Sequence, residues 1–233
     1  MIHNYIIFNG KNSDEIEGLI ICELPTISRP KLRTENIVID GRDGDIVEEL
    51  GYASYTKELI VGLNTKADID EVMNFFTGKG KVIFSNEPDK VYDVITDDKV
   101  DYKRLVKFRK ATVKFHVQPY KYLVDEAPFV FNITNQTEVK VSNVGYVPSK
   151  PVITLYGSGD VQLLVNGISV FSINIDDDYV VIDSLEQEAY KNGILKNRQM
   201  TGQFPTLKSG VNTIKWVGNV TKIKVEPKSR WLL

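Results

Sequence analysis

A single cysteine, two histidines and the lack of any long apolar run each remove a class of protein. Cys22 alone allows no intrachain disulfide and no multi-cysteine metal site. Free cysteine is among the most buried residue types, so Cys22 reads as a small buried hydrophobe in the apolar run 19–24. His3 and His116 have no nucleophile pattern beside them, and no Gly-x-Ser-x-Gly elbow occurs. No apolar run approaches the ~18 residues needed to cross a bilayer. The opening residues lack a basic n-region, and 9–17 interrupts the apolar pattern before an h-region forms, so synthesis in a cytosol without a cleaved signal is expected. On that expectation the sequons at Asn132, Asn135 and Asn219 are chance, since glycosylation needs the secretory lumen.

A dominant charge is missing as well. The 29 basic and 31 acidic residues leave a net charge of −2, which argues against general binding to nucleic acid or to an anionic membrane. With 42% apolar and 26% charged residues the composition is that of a globular protein and excludes disorder over most of the chain. A length of 233 residues holds one large β domain or two ordinary ones.

What is present is mostly strand and turn. Residues 6–8 and 19–24 read as strands around a polar turn, and the segment with Pro25, Arg29, Pro30, Lys31 and Arg33 as an exposed arm, because proline cannot join a central ladder. The strand 35–40 runs into Gly41-Arg42-Asp43-Gly44, a glycine-bracketed hairpin tip. After the strand 55–63, Thr65 reads as an N-cap, and Ile69, Val72, Met73 and Phe76 take helical spacing up to Gly78. Residues 81–85 and 91–96 flank the turn cluster 86–89 and predict a hairpin. Along 102–118 the apolar parity changes from even (Val106, Phe108) to odd (Val113, Phe115, Val117), which predicts a bulge or turn between Arg109 and Thr112 and sets His116 on the polar face. From 128 onward short strands are expected at 129–133, 138–142, 151–156, 161–165, 168–175, 179–183, 211–217 and 222–225. Asn166-Gly167 forms a tight hairpin turn and Asp176 to Asp178 another reversal, together an antiparallel β-sandwich. The stretch 200–214 reads as a buried Phe204, then Pro205, then an exposed corner whose Gly210 and Asn212 let the backbone reverse.

The candidate chemical motifs dissolve on inspection. Asp176-Asp177-Asp178 lacks the alternating oxygens, central glycine and distal glutamate of a calcium loop. Gly78-Lys79-Gly80-Lys81 follows a helix and precedes a strand, the reverse of a phosphate loop, and lacks the spacer and the Ser or Thr. Glu186 and Glu188 are close in sequence, which says nothing of the separation glycoside cleavage requires. The basic run Lys103, Arg104, Lys107, Arg109, Lys110 alternates with apolar residues like the wet face of an antiparallel strand. No catalytic residue, cofactor or metal ligand is assigned.

In this order the features resemble those of the distal tail proteins, Dit, of long, flexible-tailed bacteriophages. In the first half the resemblance rests on Ile39-Asp40-Gly41-Arg42-Asp43-Gly44, Tyr52 and Tyr55, the helix 69–76 with Thr77-Gly78, the segment 82–88 leading to Tyr92, and a strand ending Gln118-Pro119-Tyr120-Lys121-Tyr122. In the second half it rests on 143–151, Ile182-Asp183-Ser184, Gly202, Phe204, Pro205, Leu207, Gly210, Asn212, Ile214 and Arg230-Trp231.

The resemblance implies a mainly β protein. Residues 1–127 would form a β-sheet, split-barrel-like domain with one short α-helix that assembles into a hexameric ring, and 128–233 a galectin-like antiparallel β-sandwich outside it. It implies a structural, non-enzymatic hub at the tail tip of the virion. Such a hub joins the tail-tube protein to a tail-associated lysin or fibre protein, with tape-measure and receptor-binding proteins as further neighbours and no sequence-specific nucleic acid or membrane insertion. The 233 residues leave no room for the long carbohydrate-binding insertions of some members, and the familiar galectin sugar site is not evident. Arg42 and Asp43 at the hairpin and Arg29 and Lys31 on the arm are the candidates for reaching a neighbouring subunit. Lys103, Arg104, Lys107 and Arg109 are the candidates for a basic strand facing the lumen. The alternative is a monomeric carbohydrate-binding sandwich that adheres to a host surface through aromatics such as Tyr156 or Tyr190.

Overall fold

The computed structural model describes residues 3–96 and 109–233, and the chain forms two compact units, Met1–Val124 with Leu232–Leu233, and Asp125–Trp231. The first unit runs β1 (Ile6–Phe8), β2 (Lys11–Asn12), β3 (Leu19–Glu23), β4 (Leu32–Val38), β5 (Asp45–Tyr52), β6 (Tyr55–Leu63), α1 (Ile69–Phe75), β7 (Gly78–Phe84), β8 (Lys90–Thr96) and β9 (Lys110–Leu123). Its main sheet is ordered β2-β1-β7-β8-β9-β6-β3, while among the described residues β4 and β5 pair only with each other. Alternation decides which face is covered. Leu59, Val61 and Leu63 on β6 and Val113, Phe115 and Val117 on β9 point to one side, where α1 adds Val72 and Phe75. The Phe115 ring meets those of Phe8, Phe76 and Phe84 at 5.9, 6.3 and 5.9 Å between centroids, inside the range of favourable aromatic pairs.

Local chemistry corrects several expectations. The helix starts later than Thr65: Asp68 is the N-cap, its carboxylate accepting from the Asp70 and Glu71 N–H groups. Phe76 is the C-cap, so Gly78 closes no helix and instead opens β7. Of the stretch 102–118, residues 102–108 lie outside the described residues; Arg109 sits at φ 53, and from Lys110 to Val117 the ladder with β6 runs without a slip, so no bulge interrupts 110–112. Pro119 lies where the β8–β9 register shifts, between Val94 paired with Val117 and Tyr92 paired with Lys121, a break that excuses its missing N–H. Cys22 is exposed rather than buried. It occupies a register shift on the edge strand β3, between Ile21 and Glu23, so Ile21 alone turns inward there.

In the second unit the strands are β10 (Phe129–Asn132), β11 (Glu138–Asn143), β12 (Val152–Val165), β13 (Ile168–Ile175), β14 (Tyr179–Asp183), β15 (Glu188–Lys191), β16 (Ile194–Leu195), β17 (Met200–Gly202) and β18 (Gly210–Glu226). The pairs of short strands expected at 151–156 and 161–165, and at 211–217 and 222–225, are single long strands bent in the middle. One half of β12 and of β18 joins β10, β14, β15 and β16, and the other half joins β11, β13 and β17. The two halves form the layers of a sandwich, whose core takes Ile153, Leu155, Ile182 and Ile223 from one and Val141, Leu163, Phe171 and Ile214 from the other. Gly218, at φ 116, sits in the bend, where a Cβ would stand 2.3 Å from the Asp160 carbonyl oxygen.

Asn166 and Gly167, at φ 53 and 82, make the expected tight turn between β12 and β13. β13 and β14 do not form a hairpin, because each pairs with a different half of β12 across the reversal at Asp176 to Asp178. Phe204 is half-buried, and Asn212 is fully buried. Its amide bonds the Lys208 N–H and carbonyl, the Gly210 carbonyl and the Asn166 side chain, so it braces the corner from inside rather than bending it.

Candidate functional site

The strongest departure from a self-contained fold is the β4–β5 hairpin. Its strands pair Ile37 with Ile46, Asn36 with Val47 and Val38 with Asp45, so apolar groups stand on both faces. Ile37, Val38, Ile39, Ile46, Val47 and Leu50 are all exposed, Val38 by 77%. A lone two-stranded hairpin is marginal in water, and scattered apolar residues need no partner, but six on one free hairpin do. Its charges are equally unmatched. Residues 32–52 hold six carboxylates and two arginines, Glu35 lies opposite Glu48, and among the described residues none of the six carboxylates forms an ion pair.

The sequence-predicted interface residues divide between the two ends of this hairpin. Arg42 and Asp43 are exposed at the tip, between Gly41 and Gly44 at φ 82 and 78. Arg29 and Lys31 belong to the root: the Arg29 guanidinium lies 5.9 Å from the Tyr52 ring centroid, and the Lys31 carbonyl accepts from the Ala53 N–H at 2.8 Å. Of the four candidate lumen residues, Lys103, Arg104 and Lys107 lie outside the described residues, and Arg109 is exposed with its guanidinium 3.4 Å from the Asn64 carbonyl oxygen. The apolar faces went unread as a site, although three successive apolar residues at 37–39 and two at 46–47 were the signal.

The arm leading into the hairpin is anchored by a buried cation. Lys57 on β6, 3% exposed, donates to the Thr26 carbonyl at 2.8 Å and lies 5.0 Å from the ring centroid of Tyr92, with Tyr55 and Phe84 beside it. Burial pulls its ammonium down to about 8, with Glu87 opposing and Lys121 reinforcing that shift. Glu87 itself binds the Lys121 ammonium and the Tyr92 hydroxyl. Asn86 fixes the same arm by donating to the Pro25 carbonyl at 3.0 Å. Such a strongly perturbed group is a functional candidate by default, but its partners are a carbonyl and ring faces and it does structural work.

The remaining candidates acquire ordinary partners. His3 bonds Asp14 at 2.8 Å, and His116 is half-buried on β9. Asp176 is held by Lys196 at 2.9 Å and by Gln199, and Asp177 by Lys191 at 2.5 Å, so ammonium groups stand where a cation was considered. Among the described residues no group of three or more His, Cys, Asp or Glu side chains is placed to hold a metal, and no helix is long and apolar enough to cross a membrane. Glu186 lies in a turn capped by Asp183, and Glu188 opens β15. Tyr156 and Tyr190 are half-buried rather than exposed. The Tyr156 ring packs 5.4 Å from Tyr179 under the Lys222 ammonium, and Tyr190 faces Val181 across the sheet.

No family model and no curated protein matches the sequence. Solved structures do match in fold. Two chains of the phage p2 baseplate in its activated conformation, with calcium and with strontium, align at TM-scores of 0.51 and 0.52 and 10% identity, over 97% of this chain and 97% and 98% of theirs. The Dit protein (gp 19.1) of phage SPP1, a hub of the adsorption apparatus in phages that infect Gram-positive hosts, aligns over 97% of this chain and 99% of its own at 16% identity and a TM-score of 0.69, so the two share one fold from end to end.

Proposed function

We propose that this chain is a structural hub of a bacteriophage tail tip, whose copies close into a hexameric ring between the tail-tube protein and a tail-associated lysin or fibre protein. The observation that carries the reading is the end-to-end fold correspondence with a phage adsorption hub, since both units are matched rather than the sandwich alone. The hairpin supports it independently, because its exposed apolar faces and its carboxylates, unpaired among the described residues, call for a partner. In this reading residues 1–127 form the ring and 128–233 a galectin-like sandwich outside it, with Arg42, Asp43, Arg29 and Lys31 at the contact between neighbours.

Light scattering at assembly concentrations should give several times the 26.4 kDa chain mass, and negative stain should show rings. Val38→Ser combined with Val47→Ser should leave the single chain folded and as stable to within about 0.5 kcal/mol, since both sites are exposed, while the assembled fraction drops. A chain that stays single alone and with its tube and tip neighbours would sink the proposal. Tight binding of cell-wall polysaccharide by that single chain would favour the adhesion module instead.

A further inference from the structure

The second unit presents a surface of the opposite character to the hairpin. Its centre is the loop 143–149, clamped from inside by the buried Asn143, which donates to the Val147 and Leu207 carbonyls at 3.0 and 3.1 Å and accepts from the Gly145 N–H at 2.9 Å. Ser209 donates to the Gly145 carbonyl at 2.6 Å, and the Val144 N–H donates to Ser229 at 3.1 Å. Gly145 lies so close to the chain that a Cβ would stand 2.4 Å from the Arg230 carbonyl oxygen. What this fixed loop displays is Tyr146, 81% exposed and edge-on to Trp231, with exposed Val144 two residues before it and exposed Val211 opposite Ser142 on the strand that enters the loop. An aromatic already held in place loses little entropy on being covered, which is the property of a binding anchor.

The charges around Tyr146 are mostly positive. Lys150 and Lys208 flank the bridge between Ser149 and Leu207 that closes the loop, and among the described residues neither forms an ion pair. Arg230 donates to the Pro148 carbonyl, and Lys228 pairs with Glu226 at 2.9 Å. The nearby carboxylate of Glu126 is engaged by the Ser229 N–H.

We infer that the β4–β5 hairpin of one copy docks on the Tyr146 surface of a neighbouring copy, with Val38 and Val47 against Tyr146, Val144 and Val211, and its carboxylates among Lys150 and Lys208. The two surfaces are apolar at the centre, opposite in charge and present in equal number, and both are exposed in the single chain. Donor and acceptor are different patches, so the contact is heterologous and links the hairpin of each copy to the sandwich of the next around the ring that residues 1–127 form. This rests on the self-assembly proposed above and names the partner of the hairpin.

The test uses the full chain with a benzoylphenylalanine photo-crosslinker in place of Tyr146, mixed with isotopically labelled copies. Links should form between copies and fall within 37–50. Lys150→Glu with Lys208→Glu should raise the concentration needed for assembly by about tenfold or more, and adding Asp45→Lys with Glu49→Lys, which share the face of Val38 and Val47, should recover most of that loss. An assembled chain whose links fall elsewhere, or whose reversed charges show neither loss nor recovery, overturns this docking and leaves the hub reading intact. A chain that never assembles, alone or with its tube and tip neighbours, overturns both.

Discussion

Lys57 is a cation enclosed by rings, and its titration has a definite sign. Burial, opposed by Glu87 and aided by Lys121, lowers its value in the fold from 10.5 to about 8. Across that interval the unfolded chain holds a proton that the folded chain has released, so stability rises with pH, while below it the cost of the buried charge is present in full. Tyr55 acts the other way. Burial, and behind it Glu87, push its hydroxyl up to about 12, so stability present below pH 10 is lost above it. Tyr92 is likewise raised, first by burial and then by its bond to Glu87. Urea unfolding followed from pH 8 toward 10 should therefore show a gain, on the order of 1–2 kcal/mol once solvent screening is allowed for. Lys57→Met should flatten that profile and be no less stable at neutral pH, because apolar isosteres often replace buried charges without loss. A wild-type profile that falls over the same range contradicts this account.

At the scale of elements the helix start separates two readings. Thr65 and Asp68 are both good N-cap residues, but only the Asp68 carboxylate receives backbone N–H groups, from Asp70 at 2.9 Å and Glu71 at 3.5 Å. Asp68→Ala should cost about 1 kcal/mol by chemical denaturation, and Thr65→Ala less than about 0.5 kcal/mol, with the reverse order disproving the assignment. This is the level at which the sequence was most legible. The helix, the glycine-bracketed hairpin and the Asn166-Gly167 turn are each decided within a few residues. Pairing was not legible. That β12 and β18 run through both layers depends on a bend at Gly218 that interrupts the apolar alternation, and two halves of one strand then look like two strands. The exposed apolar hairpin was hidden for a related reason. An apolar run such as Ile37-Val38-Ile39 has the same pattern whether it is covered or left open, so only the fold reveals that it stands exposed. Asn212 misled in a third way, because asparagine serves both as a turn residue and as a buried brace, and the partners that distinguish the two are remote in sequence: Asn166 is 46 residues away.

For the whole molecule, the first unit has a core around Phe115 and the second a core around Leu163, and the two buried clusters share no residue. Separate cores of this kind predict separate unfolding transitions, and the tryptophans offer a way to tell them apart. The chain has two, Trp216 and Trp231, and both belong to the second unit. Phe115→Ala removes a fully buried ring from among Phe8, Phe76 and Phe84 and should destabilise the first unit by about 3–5 kcal/mol. At concentrations too low for assembly and with Trp231→Phe added, circular dichroism should then show an early transition, while the midpoint reported by emission of Trp216, which packs on the second core, stays where it was. If instead both signals move together to lower denaturant, the units unfold as one cooperative body despite their separate cores.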